Sequence, residues 1–129
     1  MGQKFSLSIC ADDFGITHNV NKAIIKLISN KRLTETSCIV LTENFKKDAK
    51  KLKSFKNKIG IGLHLTLTDF KPLSKKYILN VDGNMPSNLP LLIKCIQKKI
   101  DKKQIFDEID LQIQNFKKYL GFDPNFIDG

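Results

Sequence analysis

The feature that most constrains this chain is a switch of hydrophobic period that recurs along it. Segments apolar at every second residue alternate with segments apolar at every third or fourth. Residues 5–11 set Phe5, Leu7, Ile9 and Ala11 against Ser6, Ser8 and Cys10, the pattern of a strand with one small or polar face. Val20, Ala23, Ile24, Leu27 and Ile28 then recur at helical spacing, with Thr17 or Asn19 as N-cap and Asn30 as a stop. "TETSCIVL" predicts a second strand, and Phe45, Ala49, Leu52 and Phe55 a second helix capped by Asn44. A third strand, "IGIGLHLTLT", alternates most cleanly. Ile59, Ile61, Leu63, Leu65 and Leu67 fall on one face, and Gly60, Gly62, His64, Thr66 and Thr68 on the other.

Past this strand, Asp82-Gly83 within "YILNVDGNMP" predicts a surface hairpin. Leu89, Leu92, Ile93, Ile96 and Ile100 mark a third helix, and Ile105, Ile109, Ile113, Phe116 and Leu120 a fourth. Asp101 and Gln104 stand near capping-box spacing, Gly121 suits a C-cap, and Pro124 lies beyond it. "NFIDG" reads as a fourth strand.

Strands alternating with helices predict an α/β fold, its parallel strands joined by right-handed crossover helices. Such sheets gather functional groups at the C-terminal ends of their strands. Asp12 and Asp13 end strand one, His64 lies late in strand three, and Asp128 ends strand four. Adjacent ionised carboxylates repel, so the pair needs a counter-charge such as a metal ion, or a task. Carboxylate and imidazole suit a divalent ion, and a catalytic site needs about three ligands plus an open position for water. Asp13 and His64 supply two. His18 could reach them in principle, although a helix-start role is the simpler reading. Strand parity sets Asp12 on the Ser6, Ser8 and Cys10 face, while Asp13 belongs to the turn.

Length and charge exclude several classes. A chain of 129 residues with 41% hydrophobic content predicts a single domain over residues 1–129. Its net charge of +9 is almost all lysine, with Arg32 the single arginine, and falls on polar helix faces such as "KKDAKKLKSFKNK". No RNA-binding aromatic motif, helix-turn-helix pattern or Cys/His finger accompanies it, so solvated surface is expected rather than a nucleic-acid partner. No apolar run approaches the ~18 residues of a membrane span, which predicts a cytoplasmic protein without a membrane partner. Cys10, Cys38 and Cys95 are widely spaced with no C-x-x-C pattern, so reduced, mostly buried thiols are expected.

"ADDFG" followed by "NKAI", then "GLHLTLT" with "KPLS" just after, and finally "PNFIDG", resemble the YdjC family of carbohydrate deacetylases. That family includes chitooligosaccharide deacetylases and a hopanoid-biosynthesis branch. The resemblance implies metal-assisted removal of acetyl groups from N-acetylated oligosaccharides, with a divalent ion, Mg or Zn. It implies Asp12 as the general base, with Asp13 and His64 as metal ligands. It also implies a distorted (β/α) barrel of which this chain is the first half. In the family the Asp-Gly pair precedes a histidine-rich segment carrying a further ligand, whereas Gly129 is the last residue here. The expectation is therefore a truncated, catalytically impaired chain, or one completed by a C-terminal half or by homo-oligomerisation. A non-catalytic remnant or assembly fragment is the alternative. A receiver-type signalling domain would also carry an acidic pair after strand one. It needs a phosphoacceptor aspartate at the end of strand three, where this sequence places His64.

Overall fold

The structure, a computed structural model, describes residues 6–75 and 83–129. In order come β1 (Cys10–Phe14), α1 (His18–Ser29), β2 (Glu35–Cys38), α2 (Glu43–Lys53), β3 (Gly60–His64), α3 (Asn88–Ile96), α4 (Lys102–Leu120) and β4 (Ile127–Asp128). The strands form one parallel sheet in sequence order, with β1 and β4 at its edges. The predicted hairpin falls largely on residues 76–82, outside the described residues.

Register sorts the sheet into two unlike faces. Thr36 pairs with Ala11 and Ile61, and Cys38 with Phe14 and Leu63. This face meets the helices. Phe14, Cys38, Ile61 and Leu63 are buried with Ile24 and Ile28 of α1, Phe45 and Leu52 of α2, and Phe116 and Leu120 of α4. Each large apolar side chain fully buried there stabilises the fold by roughly 1.5–3 kcal/mol, which holds the helices to this side. The opposite face carries Cys10, Glu35 and Gly60 in one row, Ser37 and Gly62 in the next, and His64 beside Asp128 at the C-terminal end. Its large apolar side chain is Phe126, whose ring lies so close over Gly62 that a Cβ there would stand 2.4 Å from it.

Several boundaries depart from the sequence pattern. β1 begins at Cys10 rather than residue 5, because a strand is defined by its partner and β2 starts at Glu35 opposite Cys10. Thr17 caps α1, accepting from Val20 N at 3.2 Å, but α2 is capped by Thr42 rather than Asn44: the Thr42 hydroxyl accepts from Phe45 N at 3.0 Å. Asp101 caps α4 by accepting from Lys103 N at 2.9 Å. Cys38 is buried, whereas Cys10 and Cys95 are exposed, so the expectation of mostly buried thiols fails. Cys10 stands on the face opposite the helix-packed core, and α3 buries none of its residues.

β3 stops at His64, short of the predicted residue 68, because side chains of α4 take over the backbone beyond it. Thr66 N donates to Gln112 Oε1 at 3.1 Å, and Gln112 Nε2 donates to Thr66 O at 2.7 Å. Further along, Leu73 N and Ser74 N donate to the two Glu108 oxygens at 3.2 and 2.7 Å. Glu108 and Gln112 are both fully buried, so their polar atoms need these partners. Among the described residues no helix is long and apolar enough to cross a membrane.

Candidate active site

The two aspartates of "ADDFG" sit on a bulge. Ala11 pairs with Thr36 and Phe14 with Cys38, so three steps along β1 match two along β2. The extra residue breaks strict alternation. Asp13 absorbs it with a left-handed backbone, φ 65°, and lies within β1 rather than in the turn after it. In a regular strand neighbouring side chains point to opposite faces, but here both carboxylates reach partners on the open face. Gly15 completes the bend: its φ is 111°, and a Cβ there would stand 2.4 Å from Ile39 O.

From that bulge a row of polar side chains crosses the sheet. Cys10 Sγ donates to Asp12 Oδ1 at 3.3 Å, and the Ser37 hydroxyl donates to the same oxygen at 3.2 Å. Ser37 Oγ also lies 3.5 Å from His64 Nδ1, which donates to Asp128 Oδ1 at 3.0 Å. His64 Nε2 faces Asp13 Oδ1 at 3.5 Å. Desolvation, followed by the hydrogen bond to Asp12 and the charges of Asp12, Asp128 and Glu35, pushes the Cys10 thiol up to about 12. It therefore keeps its proton and serves as a donor. Burial likewise pushes the Cys38 thiol up, reinforced by the charge of Asp128.

The donor set fits a small divalent cation. His64 Nδ1 donates to Asp128, and the other ring nitrogen, Nε2, faces the Asp13 carboxylate across the 3.5 Å gap. An imidazole nitrogen and a carboxylate oxygen so placed can share one cation. Ligands about 2.1 Å from a tetrahedral ion stand roughly 3.4 Å apart, which matches the observed gap. Asp128 holds the imidazole as outer carboxylates commonly hold metal-ligating histidines. Cys10, Asp12 and Asp128 also bring their ligand atoms within 4.8 Å of one another.

The family model described as "YdjC-like protein" matches residues 6–129. The chain belongs to the YdjC-like family. It is 30% identical over 122 residues to a chitooligosaccharide deacetylase of Proteus mirabilis, covering 95% of this chain and 47% of that protein. It is 32% identical over 123 residues to a carbohydrate deacetylase of Clostridium beijerinckii, covering 92% of this chain and 46% of that one. Among solved structures, a proposed cellobiose-phosphate cleavage protein of Enterococcus faecalis superposes with a TM-score of 0.73 at 27% identity, covering 94% of this chain and 46% of that one. The chain thus spans about half the length of the relatives it matches, and its parallel α/β sheet is a partial YdjC-like barrel.

Within this YdjC-like chain Asp12, Asp13, His64 and Asp128 converge, whereas His18 does not join them. His18 Nδ1 lies 2.8 Å from Asp48 Oδ2, between α1 and α2. Asn21 Nδ2 donates to the same oxygen at 3.0 Å, and Lys51 Nζ donates to Asp48 Oδ1 at 2.8 Å. Burial alone would raise the Asp48 carboxyl, but hydrogen bonds from Lys51, Asn21 and His18 outweigh it and bring it down to about 2. Asn21 also accepts from Gly15 N, so this network braces the bend after Asp13 from behind. Ser37 and Cys10 were missed as participants. The period-two parity of "TETSCIVL" and "FSLSICA" would have put both on the His64 face, had the strands been paired.

Proposed function

We propose that this chain carries a metal-dependent hydrolytic site that removes acetyl groups from N-acetylated carbohydrates. The observation that supports it best is the 3.5 Å gap between His64 Nε2 and Asp13 Oδ1, flanked by Asp12 and backed by Asp128. The deacetylase names of its relatives agree with that reading. Asp13 and His64 would hold a divalent ion such as Mg or Zn, and Asp128 fixes the tautomer that leaves Nε2 free to bind it. When bound, the ion supplies a Lewis acid that polarises the acetyl carbonyl and acidifies water. Asp12, adjacent in the chain but turned toward Ser37, takes the proton of the attacking water. Acetate and an amino sugar are the products.

Two protein ligands leave coordination positions for water, substrate and a further donor. The open face of the sheet and its edge strands β1 and β4 are where a complementing C-terminal half or a second copy would add that donor and cover exposed strand edges. Isothermal titration with Mg²⁺, Zn²⁺ and Co²⁺, run beside acetate release from N-acetylated chitooligosaccharides, tests the reading. Metal binding lost in His64→Ala is the expected result. Equal affinity in wild type and His64→Ala would overturn it.

A further inference from the structure

Ser37 is fully buried, yet it is the side chain that touches both halves of the candidate site: Asp12 of β1 and His64 of β3. Its single proton can go to only one of them. His64 Nδ1 already gives its own proton to Asp128, so it cannot accept from Ser37. The hydroxyl proton therefore goes to Asp12 Oδ1, and an oxygen lone pair faces Nδ1 at 3.5 Å.

We propose that Ser37 is a positioning residue for Asp12, holding one carboxylate oxygen so that the other faces the reacting water. This rests on the role of Asp12 given above. An exposed aspartate samples several staggered rotamers, and a base that samples them is often misplaced. Asp12 is exposed, and among the described residues the side-chain hydrogen bonds it accepts, from Cys10 and Ser37, both fall on Oδ1. The Cys10 thiol adds a second donor to Oδ1, but a thiol donates weakly, so the hydroxyl of Ser37 carries more of the restraint. Ser37 is buried on β2, so its hydroxyl ties the exposed carboxylate of the bulge to the interior of the sheet.

The test needs neither metal nor turnover. In the full chain labelled with ¹³C at aspartate carboxyls and held near pH 8, where carboxylates stay ionised, Asp12→Asn assigns the Asp12 signal. Ser37→Ala should displace that signal while those of Asp48 and Asp123, remote from the row, stay in place. Ser37→Cys, which keeps the volume but donates weakly, should displace it in the same direction. An Asp12 signal unmoved by both overturns the proposal. A double-mutant cycle between Ser37→Ala and Asp12→Ala, read by urea unfolding, should show a coupling of roughly threefold to tenfold in the folding equilibrium. Strict additivity would also overturn it. Failure of the His64→Ala metal test would sink the metal reading alone and leave these two readouts standing.

Discussion

Both histidines of the chain sit beside an aspartate, and the two pairs differ in what the second ring nitrogen faces. His18 meets Asp48, whose side chain is 5% exposed and already holds Asn21 and Lys51, so that pair braces two helices. His64 gives one nitrogen to Asp128 and turns the other toward a second carboxylate, Asp13. A histidine-aspartate contact alone therefore says little about function. What separates the pairs is a second carboxylate, Asp13, facing the ring nitrogen that Asp128 does not hold.

The strongest way to break that contrast is to exchange the losses. His64→Ala should lower divalent-metal affinity by more than the ~10–100-fold typical of losing an outer partner, with little change in urea midpoint. His18→Ala should leave that affinity unchanged, and equal losses from the two would erase the distinction. Asp128→Asn comes next: it keeps the shape but weakens the hold on His64 Nδ1, and titration calorimetry should report a roughly 10–100-fold weaker site.

Asp48 sharpens the structural side of the comparison. Its folded carboxyl at about 2 lies below the ordinary value of 3.8, so it contributes stability above pH 4 that is lost as pH falls toward 2. The gap between wild type and Asp48→Asn should be about 2 kcal/mol at pH 6 and should close over that window in urea titrations. A gap constant from pH 6 to 2 would assign the pair no such role. The smallest effect is the stability cost of His18→Ala. Its ring is 60% exposed, so under about 1 kcal/mol is expected from the same unfolding curves.

The alternation of periods made the order of strands and helices legible, and the strand-end rule brought Asp12, Asp13, His64 and Asp128 together before any coordinates. The bulge was not legible. Whether Asp13 sits in a strand or a turn depends on how β1 aligns with β2, and a single strand's pattern carries no record of its partner's register. The end of β3 was hidden for a similar reason: "LTLT" continues the strand period, but Gln112, 46 residues on from Thr66, claims the backbone. Asn44 and Thr42 are both good caps by residue type, and only the closing of the first turn onto Phe45 decides between them. Cys10 was misplaced because apolar character suggests burial, whereas it lies on the side of the sheet opposite the helix-packed core.

The clip from α4 to the segment after His64 also bears on the order in which the molecule assembles. The contacts of Gln112 and Glu108 close stretches of 46 and 35 residues, and such closure must be met by chain entropy before it is rewarded. The segment that follows His64 should therefore order with α4 rather than with the strand it extends. Amide protons of Thr66, Leu73 and Ser74 should gain protection together, and only once α4 has docked against the sheet.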